Sequence, residues 1–180
     1  MRARNQNAQG NDTKQEGLYN DQIDELMKDY PDYLGTVARD QIPLLVRYIR
    51  PQSRGAFVLN LDKHNQPGSH WVAVYFDARK GGSNSIEFFN SFGDDIPKDL
   101  LPDIKKISDK LNSPNYMQLK VNKVKEQRAN SDNCGYFAIR FIKDRFAGKK
   151  FKDVTPYSDV MRQEKEIEQF KKGLPDFGRI

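Results

Sequence analysis

The chain has 180 residues, 37% hydrophobic and 11% aromatic, with a single Cys and two His. That length and apolar content fit one domain with a sizeable core. One Cys excludes an internal disulfide, and together with two His it leaves too few ligands for a zinc module. Thirty Lys and Arg against 25 Asp and Glu give a net charge of +5, which suits either a well-solvated surface or work beside a polyanion such as DNA.

Residues 1–17, MRARNQNAQGNDTKQEG, are polar and lack the apolar middle of a signal peptide; they read as a disordered arm, with a single domain over 18–180. No apolar run reaches the roughly 18 to 20 residues that span a bilayer, so no membrane partner is expected. Asn20 is placed to cap a first helix, DQIDELMKDY, in which Ile23, Leu26, Met27 and Tyr30 fall at helical spacing before Pro31. YLGTVARDQIP then reads as a loop or short helical turn. Strands are predicted over Ala56 to Leu61, Trp71 to Phe76 and Ser85 to Phe89; the first two are almost continuously apolar, as strands buried on both faces are. Gly81, Gly82, Ser83 and Asn84 supply turn chemistry for an antiparallel hairpin between the second and third.

Pro97 opens a helix striped by Leu100, Leu101, Ile104, Ile107 and Leu111, and Met117 to Val121 alternates as a fourth strand. After the polar loop KEQRANSDN comes CGYFAIRFIKDRFAG, an apolar helix stopped by Gly148, and then a charged helix over Val160 to Lys172. The sum is an α+β domain with a central, mostly antiparallel sheet flanked by helices.

Cys134 stands out because it opens an apolar helix directly after a polar loop. There the helix dipole and free N–H groups favour a thiolate, and the Cys134 N–H can point at a developing oxyanion. Gly135 would let a substrate backbone approach. A lone Cys is otherwise most simply a buried small hydrophobe. For a thiol nucleophile the chain offers two bases. His64 lies in the turn-like DKHNQPGS, whereas His70 directly precedes a buried strand that would fix it at a sheet edge, with Trp71 walling the site. Asn90, at the end of the third strand, can accept the ring N–H and set the tautomer. Asp77, Glu87 and Asp94 stay open as alternatives for that role. Gln127, seven positions before Cys134, would add a side-chain donor to an oxyanion hole.

GSHWVAVYFD, IEFFNSFG and QRANSDNCGYF, in that order, resemble the His-Trp, acid-x-Phe-Gly and Gln-x6-Cys-Gly motifs of adenain, the adenovirus maturation protease. More distantly they resemble the proteases that process and remove SUMO. LYNDQIDELMKDYPDYLGTVARDQIP looks like the N-terminal region of adenain-like proteases of virophages and Polinton/Maverick elements. The resemblance implies a papain-like cysteine protease fold with the nucleophile at a helix N-terminus. It implies a Cys134 nucleophile, a His70 base, Asn90 in the acidic third place, Gln127 in the oxyanion hole, and Trp71 and Gly135 at the substrate. The Asn at position 90 departs from the family's Glu or Asp.

The expected substrates are capsid or core precursors cut at small-residue, Gly-Gly-like sites by a monomer, in the virion and the infected cell. No cofactor is required. Adenain is activated by a peptide disulfide-linked to a second Cys; this chain has none, so a peptide activator would bind noncovalently, and DNA is a possible nonspecific partner. A ubiquitin-like-protein deconjugase, more remotely an acyltransferase, and a DNA-associated structural protein are the competing readings.

Overall fold

Seven consecutive residues, Trp71–Asp77, are buried on both sides of one strand, and the rest of the molecule is arranged around it. In the computed structural model, which describes residues 17–66, 70–155 and 158–175, this strand is β3 of a five-stranded sheet. The others are β1 (Tyr33–Ala38), β2 (Arg54–Asn60), β4 (Ser85–Phe89) and β5 (Gln118–Val121), in spatial order β1-β2-β3-β4-β5. The helices are α1 (Asn20–Met27), α2 (Ile42–Val46), α3 (Leu101–Leu111), α4 (Cys134–Phe146), α5 (Phe151–Val154) and α6 (Val160–Lys172). Of the expected disordered arm, residues 1–16 lie outside the described residues, as does the tail from residue 176.

Strand alternation divides the core in two. Ala56 and Val58 of β2, Trp71, Ala73 and Tyr75 of β3 and Phe89 of β4 pack with α1, α4 and Ile167 of α6. Phe57, Leu59, Val72, Val74, Phe76, Ile86 and Phe88 turn the other way, onto α2 and α3. The Phe89 and Phe141 rings stack at 4.6 Å across the first interface. Phe137, Phe141 and Ile142 of α4 are almost fully buried there, and each such side chain contributes about 1.5–3 kcal/mol by leaving water. Glu87, fully buried on the same side of β4, makes a bidentate pair with Arg145 of α4 at 2.8–2.9 Å and so ties strand to helix. The helix that opens on Cys134 is thereby fixed against the two strands that flank His70 and Asn90.

The sheet departs from the expected pattern. β2–β3 and β3–β4 are antiparallel, as predicted for the hairpin, but β1–β2 and β4–β5 are parallel, so the sheet is mixed. YLGTVA is a strand rather than a loop. Gly35 at φ 132° and a register shift between Tyr33 and Thr36 interrupt it, which removes the alternation a sequence pattern needs. Asn20 is the first residue of α1 and not its cap. The flanking Tyr19 donates its N–H to Gln22 Oε1 at 2.8 Å instead. Leu101 points outward, 41% exposed, because a 3-10 turn over Lys98–Leu100 resets the helical phase before α3 begins. The short α5 between α4 and α6 had no signal in the sequence.

Candidate active site

His70 stands one residue before β3 and Asn90 one residue after β4. Continuing the Ala73↔Phe89 register by three residues sets His70 opposite Phe92, and their rings stack at 4.6 Å. Asn90 Oδ1 lies 2.8 Å from His70 Nε2 and also accepts the Phe92 backbone N–H at 2.9 Å. An atom that accepts a backbone N–H is the carbonyl oxygen, so His70 must donate from Nε2. The lone pair of the neutral ring then sits on Nδ1, where it can take a proton. Burial holds the His70 pKa below the usual 6.5, against the opposing hydrogen bond from Asn90 and the Asp94 charge. The imidazole is therefore neutral, and basic, at neutral pH.

Cys134 is the first residue of α4 and 4% exposed. The backbone N–H groups of Trp71, the residue after His70, of Gly135 and of Cys134 itself favour its thiolate form. These N–H groups lower its pKa as the helix N-terminus predicts, but removal from water outweighs them and pushes the thiol up to about 11. The thiolate that the helix end favours is thus opposed by burial, which is the larger of the two effects.

Trp71 is almost wholly buried and donates its indole N–H to the Leu18 carbonyl at 2.9 Å. A Cβ on Gly135 would meet Trp71 Cδ1 at 3.2 Å and Leu18 Cβ at 3.3 Å, so the close approach this glycine permits is occupied by the protein's own N-terminal segment. On another side of Trp71, a cavity of about 180 Å³ is lined by Asn20, Thr36, Gln41 and His64. His64 is exposed and paired with Asp40, as a loop histidine should be.

Gln127 is fully buried, and its side chain is held at both ends: Ser91 Oγ donates to Oε1 at 2.5 Å, and Nε2 donates to Ser131 O at 2.6 Å. A primary amide carries a second N–H, the one an oxyanion would use. Ser91 O also accepts the backbone N–H groups of Glu126 and Gln127. Ser91, directly after Asn90, thus links the histidine side of the site to the Gln127 loop, and its adjacency to Asn90 in the NSFG motif was the signal that could have found it. Asn122 Nδ2 bonds Asn90 O at 2.9 Å and adds a second link. Gly93, at φ 74°, brings the turn so close to this segment that a Cβ would lie 3.0 Å from Lys125 N. Of the alternatives to Asn90, Asp77 pairs with Arg79 and Glu87 with Arg145, while Asp94 reaches His70 only through its charge.

The site combines a neutral imidazole oriented by an amide with a buried thiol on the first residue of a helix packed on a mixed sheet. The fold is that of the crystal structure of ASFV pS273R protease, which superposes with a TM-score of 0.70 at 21% identity, over 91% of this chain and 69% of that one. The chain is homologous to viral cysteine proteases. It is 33% identical over 98 residues, 53% of this chain, to "Cysteine protease S273R" of African swine fever virus isolate Tick/Malawi/Lil 20-1/1983. The counterpart in isolate Pig/Kenya/KEN-50/1950, 28% identical over 127 residues (69% of this chain and 45% of that protein), carries the name "SUMO-1 cysteine protease S273R". It is 27% identical over 143 residues, 78% of this chain and 39% of the relative, to "Putative thiol protease R355" of Acanthamoeba polyphaga mimivirus. The match to the Malawi isolate's protease covers 35% of that protein, so the chain spans under half the length of these relatives. No sequence-family profile matches it.

Proposed function

We propose that the protein is a viral maturation endopeptidase of the adenain-like kind, cleaving capsid or core precursors at Gly-Gly-like sites. The observation that carries this reading is the His70 Nε2–Asn90 Oδ1 bond, which leaves Nδ1 as the base on a residue whose chain neighbour, Trp71, packs in one buried cluster with Cys134. As sulfur attacks the scissile carbonyl, His70 takes the thiol proton, the C–S bond forms and the carbonyl electrons move to oxygen. That oxygen is held by Gln127 Nε2 and the Cys134 N–H. Collapse expels the amine, which takes the proton from His70. Water deprotonated by His70 then attacks the thioester, releasing the acid and restoring the thiol. The preference for Gly-sized residues rests on the resemblance to adenain, since Leu18 and Trp71 themselves fill the space beside Gly135. The net charge of +5 supports DNA as a nonspecific partner in a filled particle.

A second reading, release of a ubiquitin-like protein at its Gly-Gly tail, is favoured by the name of the Kenyan relative. Incubation with co-encoded capsid proteins and, separately, with a SUMO conjugate, wild type against Cys134→Ala, decides between them by product mass. Capsid fragments ending in small residues, absent with Cys134→Ala, are expected. Release of SUMO alone selects the second reading, and intact substrates in both arms overturn peptidase activity.

A further inference from the structure

The charged helix α6 looks from its sequence like a solvated surface element, yet one stripe of it is turned inward. Glu164 is 5% exposed and its two carboxylate oxygens have separate partners. Oε1 accepts the Arg128 backbone N–H at 2.9 Å, and Oε2 accepts Asn133 Nδ2 at 2.8 Å. One and two turns further on, Glu168 Oε1 accepts the same Asn133 Nδ2 at 3.1 Å and Lys171 Nζ donates to Asn133 Oδ1 at 3.0 Å. The side chain of Asn133 is therefore satisfied entirely by α6. The neighbouring Gln163 accepts from Arg140, which also pairs with buried Glu126.

The positions of these partners matter more than their number. Arg128 follows Gln127, and Asn133 precedes Cys134. A single buried carboxylate thus grips both ends of the loop whose ends carry the amide donor and the nucleophile's own N–H. Those two donors must converge on one oxygen, and a displacement on the order of 1 Å of a catalytic group reduces rate about 100-fold. A loop without regular secondary structure has no ladder of its own to set that separation.

The geometry points to Glu164 as a positioning residue that fixes the span between Gln127 and Cys134, making α6 a brace for the oxyanion hole. This rests on the peptidase reading above. Glu164 touches neither substrate nor sulfur, so its removal should affect the transition-state oxygen and leave the thiol alone.

The test uses the full chain, a fluorogenic Gly-Gly peptide, the matching peptide aldehyde and iodoacetamide. The aldehyde adds the Cys134 sulfur to its carbonyl carbon, and its oxygen becomes the tetrahedral hydroxyl or oxyanion that the hole holds. Glu164→Ala is expected to lower kcat about 10- to 100-fold with KM nearly unchanged. Aldehyde affinity should fall in parallel, while the rate of Cys134 alkylation stays at the wild-type value. Glu164→Gln keeps an acceptor for the Arg128 N–H but turns a donor toward Asn133 Nδ2, so it should recover part of the loss. Wild-type kcat and aldehyde affinity in Glu164→Ala would overturn the proposal, as would alkylation falling together with kcat. If Glu164→Ala does not fold, Glu164→Gln decides alone: a several-fold fall in kcat and aldehyde affinity supports the brace, and no fall removes it. A wild type that turns over neither peptide nor protein substrate removes the peptidase reading itself, an outcome separate from a working wild type matched by its variants.

Discussion

His70 and Asn90 hang from adjacent ends of two fully buried strands, whereas Gln127 and Cys134 sit at the two ends of an irregular loop supported by a charged helix. The first pair needs little beyond sheet register: once Ala73 faces Phe89, the ring of His70 falls on Phe92 and its Nε2 on Asn90. The second pair depends on side-chain bonds to residues 31 or more positions away. Strand ends are rigid because displacing them would open the core. A loop end is only as rigid as its hydrogen bonds, and so the two halves should fail in different ways.

The largest effect is expected from breaking the tie between sheet and helix. Glu87→Ala leaves Arg145 buried without its partner and should lower unfolding free energy by about 3–5 kcal/mol in urea titration. The kcat of the remaining folded fraction should stay close to wild type. A large kcat loss at unchanged stability would show that the strand half is not protected by its core. Gln127→Ala probes the other half. It should reduce kcat about 100- to 1000-fold, the usual range for one lost oxyanion donor, with a smaller stability loss of about 1–3 kcal/mol because Ser91 Oγ and Ser131 O lose their partner. If stability collapses instead, the buried amide is a structural strut and the contrast between the halves disappears.

The smallest effect is a displacement in pH. Because burial lowers the His70 pKa below 6.5, the ring is neutral through neutral pH, and kcat/KM should fall only as pH drops through a value under 6.5. Asn90→Asp places a negative charge on Nε2, favours the imidazolium, and should carry that acid limb upward by about one unit or more. An unmoved limb would mean that another group orients the ring.

The same contrast explains which parts of the molecule could be read from the chain. Continuous apolar runs marked β2 and β3, the glycine-rich turn marked the hairpin to β4, and the position of His70 before one strand and Asn90 after the next followed from period-two alternation. β1 was missed because Gly35 and a register shift break its pattern. The parallel β4–β5 pairing was illegible because α3 intervenes and the short β5 is half exposed. Cys134 was legible as the start of a helix, but its protonation state was not: the N–H groups that favour a thiolate are local in sequence, while the burial that outweighs them comes from the whole fold. Glu164 and Asn133 left no signal at all, since a carboxylate on a charged helix looks the same whether it meets water or a loop 31 residues upstream.

The depth of the Cys134 sulfur also bears on how long the protein remains usable. Burial pushes the thiol up to about 11 and so disfavours the thiolate, the form that peroxide and stray electrophiles attack. The chain's single cysteine is thereby shielded from that chemistry by the fold around it. In the peptidase proposed above, the same burial would hold the sulfur in reserve until a bound carbonyl and the His70 imidazole draw its proton away together.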